Sequence, residues 1–156
     1  MGKYGKLKGL CRGLIGKDHP DLDSFNEKMV LQKGVYLAKQ LGAECFQEYT
    51  FGWHVRGTYS PGLTVDIYQL PKEKEPAELN PAEESTLAKL KALSKGATRD
   101  LPGMLEVTSA VVYAFKEKHM NVSEVKEFTR RTKPWFSETE IGHALKWAQE
   151  QGLASG

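Results

Sequence analysis

The spacing of apolar residues along this chain changes period once. From Glu48 to Val55 the period is two, with Tyr49, Phe51, Trp53 and Val55 on one side and Glu48, Thr50, Gly52 and His54 on the other, the pattern of a strand. Wherever else a period can be read it is three to four, the pattern of helices with one buried face. A lone strand leaves its backbone donors and acceptors without a ladder, so residues near Glu44 to Phe46, or another edge, have to pair with it. The expected fold is therefore α+β and mainly helical, about six or seven helices with one small β-hairpin near Cys45 to Val55.

The helix boundaries are signalled locally. Leu7, Leu10, Cys11, Leu14 and Ile15 predict a short amphipathic helix over 6–16 with a basic outer face. Ser24 followed by Glu27 reads as a capping box, opening a helix that runs to about Leu41, buries Val30, Leu31, Val35 and Ala38, and stops at a left-handed Gly42. Gly34 inside that helix costs roughly 1 kcal/mol relative to alanine, which points to close approach by another element. Ser60-Pro61 supplies a cap and a first-turn proline for a short helix through Leu63, Ile67 and Leu70. Asn80-Pro81 with Glu83 opens a helix through Leu87, Leu90 and Leu93, and Pro102 introduces a longer one through Met104, Thr108, Val111, Val112 and Phe115. Asn121 with Glu124 and Ser137 with Glu140 cap the last two, and Gly152-Leu153 closes the final helix.

A chain of 156 residues fits one core, and 40% hydrophobic with 27% charged residues suffices to close it without metals or disulfides. The expected organisation is a single domain over 1–156. Residues 1–70 hold the basic helix, the long helix, the hairpin and the short helix; 71–80 are a charged linker lying in solvent; 81–156 are a helical half ending in a helix pair. Cys11 and Cys45 sit among apolar neighbours without CxxC spacing, as buried thiols of a reducing compartment do, so a cytoplasmic address is expected. No apolar run approaches the roughly 20 residues that span a bilayer, and no membrane partner is expected.

Leu31-Gln32-Lys33-x-Val35-Tyr36-Leu37, then Leu41-Gly42, then Tyr49-x-Phe51-x-Trp53-x-x-x-Gly57-x-Tyr59-Ser60-Pro61-x-Leu63 resembles the YwgA-like family of bacterial and archaeal proteins. The similarity continues through Leu105-Glu106-Val107 and Lys133-Pro134-Trp135-Phe136-Ser137-x-x-Glu140-Ile141, covering most of residues 24–153, with Thr58 standing where the pattern has proline. That family is distantly similar to Panacea, or SocA-like, proteins, some of which act as antitoxins or proteolytic adaptors. The resemblance implies a partner-binding role and brings no enzyme activity with it.

Two groups of residues are candidates for binding. Gln32, Lys33, Tyr36, Trp53, Arg56, Tyr59 and Ser60 come together if the aromatic segment lies across the helix that begins at Phe25. They would form either a small anion or carboxylate pocket, with Lys33 and Arg56 facing the free amides at the N-terminus of the helix that begins at Pro61, or a polar knot pinning hairpin to helix; the knot is favoured. The second group serves an alternative, nucleic-acid-binding reading: Lys3, Lys6, Lys8 and Arg12 on the first helix, and Arg130, Arg131 and Lys133 on a C-terminal helix pair of helix-turn-helix type. Two features oppose it. The net charge is only +2, and Glu138 and Glu140 occupy the first turn that would approach phosphate. His19, His54, His119 and His143 share no metal-ligand spacing, Asp18, Asp21 and Asp23 lack the rest of a calcium loop, and no nucleophile motif or Gly-rich phosphate loop occurs. The expected function is thus a non-enzymatic intracellular binding protein, an adaptor or antitoxin-like regulator acting on another protein, without metal or cofactor.

Overall fold

The computed structural model describes residues Gly2 to Ala154. Seven α-helices and one two-stranded antiparallel hairpin make up the regular structure of these residues, a mainly helical α+β fold. Clustering of contacts divides the chain into two compact units, Met1–Lys91 and Ala92–Gly156. No helix among the described residues is long and apolar enough to cross a membrane.

The first unit holds α1 (Lys3–Ile15), α2 (Phe25–Gln40), β1 (Gly52–His54), β2 (Gly57–Tyr59), α3 (Pro61–Gln69) and α4 (Pro81–Lys91). Ser24 caps α2 by accepting the Glu27 amide, as the sequence predicts, but the reciprocal half of the box is absent. Glu27 turns instead to the Asp21 amide at 2.8 Å and to Lys17 at 2.9 Å, tying the loop before α2 to its first turn. Gly34 does admit a neighbour: a Cβ there would stand 2.5 Å from Leu14 Cδ1 of α1.

The strand is shorter than its alternation suggests and pairs with residues after it rather than before. Trp53 faces Thr58 and His54 faces Gly57 across the ladder, while Glu44–Phe46 forms a single 3-10 turn. The reason lies in Gly57, whose φ of 100° lets the two-residue connection Val55-Arg56 reverse the chain at once. Val55, expected within the strand on the side of Tyr49, Phe51 and Trp53, sits at the hairpin tip and is 98% exposed.

The charged stretch after α3, expected as a solvated link, is laid along α1. Lys8, itself buried, donates through Nζ to the carbonyls of Glu73 (2.5 Å) and Glu75 (2.6 Å), and the Glu78 amide donates to the Gly5 carbonyl at 3.0 Å. Glu75 also accepts the Gly5 amide at 3.1 Å, satisfying a first-turn donor that no side chain at the N-cap reaches. The approach is possible because Gly5, Gly9 and Gly13 form a bare stripe on α1. A Cβ on Gly5 would stand 2.9 Å from the Pro76 carbonyl oxygen, one on Gly9 2.6 Å from Leu79 Cγ, and one on Gly13 2.3 Å from Leu87 Cδ2.

The second unit holds α5 (Leu101–Lys116), α6 (Val122–Thr132) and α7 (Glu138–Glu150). Helices α6 and α7 both pack on α5, whose Met104, Leu105, Val107, Val111, Val112 and Phe115 are fully buried. Both predicted capping boxes are complete: Asn121 with Glu124, and Ser137 with Glu140. Glu140 does more than cap, since Arg99 grips both its oxygens at 3.0 Å while lying over the Phe136 ring at 4.5 Å. Gly152 ends α7 at φ 74°, and the Leu153 amide reaches back to the Ala148 carbonyl at 2.8 Å, the Schellman arrangement that the sequence indicates.

Two consequences can be measured. Gly5→Val forces a side chain against the Pro76 carbonyl of the strap laid along α1, and a loss of about 1–3 kcal/mol in unfolding free energy is expected by chemical denaturation. Glu140 is held below the ordinary carboxylate range, first by the Ser137 amide and then by Arg99. A lowered folded pKa contributes stability that is full above the ordinary carboxylate pKa and is lost as pH falls through the folded value. Glu140→Gln is therefore expected to weaken amide-exchange protection in α5–α7 at neutral pH, and the difference from the unaltered chain to shrink as pH is lowered to about 3.

Candidate functional site

The site lies in the first unit and is a cleft of about 590 Å³ with three walls. The floor is one face of α2, where Phe25, Lys28, Met29, Gln32 and Lys33 recur at helical spacing. The hairpin supplies Trp53, His54, Val55, Arg56, Thr58 and Tyr59, and α3 supplies Thr64, Ile67 and Tyr68. A volume of this size falls within the range of pockets that enclose ligands or partner side chains, roughly 300–1,000 Å³.

Behind the walls Lys33, Gln32 and Ser60 are bonded within the chain. Lys33 is 2% exposed, and its Nζ donates to the carbonyls of Arg56 (3.1 Å) and Thr58 (2.6 Å) and to Thr58 Oγ1 (3.4 Å). Burying an ammonium is costly unless such acceptors replace water, and here they come from the hairpin itself. Position 58 acts chiefly through its carbonyl, which accepts Lys33 at 2.6 Å. Gln32 accepts the Ser60 amide at 2.9 Å and donates to the Ser60 carbonyl (3.1 Å) and Thr64 Oγ1 (2.9 Å). At the start of α3 the Leu63 amide is in turn taken up by Ser60 as the cap.

Five of the seven predicted residues, Gln32, Lys33, Trp53, Arg56 and Tyr59, line the cleft. Tyr36 is buried behind it, edge-on to Phe51 at 5.1 Å, and Ser60 is buried at the knot. The front of the cleft is what the sequence reading missed. Phe25, Val55 and Tyr68 stand at its edge, 52%, 98% and 42% exposed, with Met29 and Ile67 deeper. Arg56 lies over the Phe25 ring at 4.7 Å, joining hairpin to α2, and Lys28 reaches the Tyr68 hydroxyl at 2.9 Å, joining α2 to α3. His54 stacks edge-on against Tyr59 at 5.0 Å. The spacing of Phe25, Lys28, Met29 and Gln32 was the available signal for the floor.

The basic residues of the nucleic-acid alternative are largely engaged. Lys3 pairs with Asp66 at 3.2 Å, Lys6 with Glu83 at 2.9 Å and Arg12 with Asp18 at 2.6 Å, while Lys8 is buried under the strap. Arg130 pairs with Glu127 at 2.6 Å, Lys133 is buried with its Nζ 3.0 Å from Glu106, and Arg131 is exposed. Lys133 is thus a core residue, because the turn between α6 and α7 folds its side chain inward, and not a surface contact for phosphate.

Neither thiol is chemically poised. Burial pushes Cys11 up to about 12, and burial with the neighbouring Glu83 does the same for Cys45. Asp66, also buried, is a hub that sequence reading passed over: it accepts the Tyr49 hydroxyl at 2.6 Å beside Lys3. Comparison with protein-family profiles, with curated proteins and with solved structures finds no match to the chain.

Lys33→Met leaves the buried Thr58 carbonyl and the part-buried Arg56 carbonyl without their donor and is expected to cost about 2–4 kcal/mol. Arg56→Ala removes an exposed ring contact and is expected to cost about 1 kcal/mol or less. Urea titration of the two variants checks the contrast; equal losses would show that the hairpin is not held through Lys33.

Proposed function

We propose that the chain is a non-enzymatic binding protein, an adaptor or antitoxin-like regulator, and that the cleft between α2, the hairpin and α3 is where it contacts another protein. One observation carries this reading: apolar side chains stand exposed at the mouth of a cleft whose Lys33 and Gln32 are bonded to the hairpin and its end. Exposed Phe25, Val55 and Tyr68 around one opening form the kind of patch that a partner covers, and their supports are fixed before any partner arrives. The resemblance to YwgA-like proteins fits the same reading, because Gln32, Lys33, Trp53, Tyr59 and Ser60 are the residues on which the framework is built.

The electrostatics favour this over the nucleic-acid alternative. A surface that recognises phosphate gains affinity by releasing counterions from cations free to meet it, and most of the cations invoked for that role already meet carboxylates or carbonyls.

Capture on the immobilised full chain, followed by mass spectrometry, tests the proposal when run beside Met29→Trp, which fills the cleft, and Val55→Glu, which charges its edge. A protein retained in stoichiometric amount by the unaltered chain and lost with both variants, at unchanged melting temperature, is the expected result. Retention by all three, or a mobility shift of duplex DNA that weakens with salt, would overturn it.

A further inference from the structure

Hydrogen bonds at the cleft run in one direction. Gln32 sets it: its Oε1 accepts the Ser60 amide at 2.9 Å, so its amide nitrogen is the donor to Thr64 Oγ1 at 2.9 Å. Thr64 donates in turn to the Tyr59 hydroxyl at 2.6 Å, because the Ser60 carbonyl is farther away at 3.4 Å and already accepts Gln32 at 3.1 Å. Tyr59, which lines the cleft, therefore keeps its own O–H to give. The same holds for Tyr68 on α3, since the Lys28 ammonium, which can only donate, reaches its oxygen at 2.9 Å. Neither phenol donates to an acceptor among the described residues. Acceptors are scarce by contrast. No lining residue is Asp or Glu, Gln32 Oε1 and Thr64 Oγ1 are taken, and Thr58 Oγ1 lies 3.4 Å from the Lys33 ammonium. An occupant of this cleft is thus offered donors, between apolar walls.

We infer that the cleft takes a proline-rich segment of a partner protein, with its pyrrolidine rings against the aromatic walls and its carbonyls accepting from Tyr59 and Tyr68. This rests on the proposed role of the cleft as a partner-binding site and specifies what the partner presents. An ordinary extended segment carries one amide N–H for each carbonyl, and an N–H turned into this cleft loses water without gaining an acceptor, at a cost of about 1–3 kcal/mol. Proline keeps the carbonyl and has no N–H. Its fixed φ also holds the segment in an extended polyproline II helix beforehand, so little entropy is lost on docking. The walls suit such rings: Phe25, Trp53, Tyr59 and Tyr68 supply flat apolar faces, the composition of grooves that bind proline-rich chains. A segment also suits the surface better than a compact small molecule. Apolar surface continues past the cleft along α3, where Val65, three residues from Tyr68 on the same helix face, is 62% exposed. An extended segment covers both, whereas a ligand confined to the cleft covers only one.

Selection of a random-peptide display library on the full chain, with Met29→Trp as the counter-selected control, tests this. The expected outcome is enrichment of peptides with paired or spaced prolines beside apolar residues. Measured by fluorescence anisotropy, replacing a selected proline with alanine should weaken binding about tenfold. N-methylalanine, which keeps the carbonyl and lacks the N–H, should restore most of that loss. The Tyr59→Phe, Tyr68→Phe double variant retains both rings without their hydroxyls and should bind the selected peptide about tenfold more weakly. Tyr68→Phe alone, at an exposed position, should show part of that loss at unchanged melting temperature. Selected peptides without proline, or equal affinity of the proline and alanine forms, overturn the proline inference and leave the cleft as a binding site. An unchanged affinity in the double variant overturns it as well. No enrichment does the same and leaves the role of the cleft to the capture experiment, whereas peptides that bind Met29→Trp equally well overturn both readings.

Discussion

The buried ammonium of Lys33 is the interaction on which the site depends. A two-stranded hairpin with three-residue strands has little stability of its own, because so few ladder bonds cannot offset the entropy of ordering the turn. Lys33 reaches past the ladder to the carbonyls of Arg56 and Thr58, and Gln32 does the same one residue earlier with the amide and carbonyl of Ser60. Adjacent positions of one helix thereby replace the third strand that a free hairpin lacks. The bonds also fix where Trp53 and Tyr59 stand, so the hairpin wall of the cleft is held by α2.

That division explains which parts were legible in the sequence. Helix starts are written in side chains within three or four residues of the amide they satisfy, and Ser60, Asn121 and Ser137 each accept the predicted one. The strand partner was misplaced because alternation reports which face is buried and says nothing about which neighbour supplies the ladder; Gly57, with its positive φ, decided that. The strap was hidden for another reason. Lys8 recognises carbonyl oxygens of Glu73 and Glu75, and a backbone carbonyl leaves no mark in an alphabet of side chains. The glycines at 5, 9 and 13 were the one trace of it, a stripe at helical spacing that makes sense only when something crosses it closely. The same limitation hid the meaning of Lys33, whose acceptors are also main-chain.

The second unit shows how a motif that looks like a contact surface can be structural. Lys133, Trp135, Phe136, Ser137 and Glu140 all serve the turn between α6 and α7. Lys133 reaches Glu106 on α5, Arg99 donates to the Trp135 carbonyl and to Glu140, and Ser137 exchanges capping bonds with Glu140. A carboxylate that caps a helix and receives a guanidinium fork at once restricts the angle at which α7 can leave the turn. The acids that oppose docking of α7 on phosphate are in this sense part of its own start.

Charge segregation along the sequence has a corresponding role in the first unit. The first seventeen residues carry five cations and no acid, and read in isolation that is a basic patch. In the folded chain acids meet four of them, from far along the sequence at Lys3 (Glu48 and Asp66) and Lys6 (Glu83) and from the following loop and helix start at Arg12 (Asp18) and Lys17 (Glu27). Pairs exposed to water contribute little each, about 0–1 kcal/mol, so their main effect here is on register. They draw the hairpin approach, α3 and α4 toward one helix and favour the strap lying along its glycine stripe. At the wall where α2 meets the hairpin and α3, Lys28 and Arg56 lie against the rings of Tyr68 and Phe25 instead.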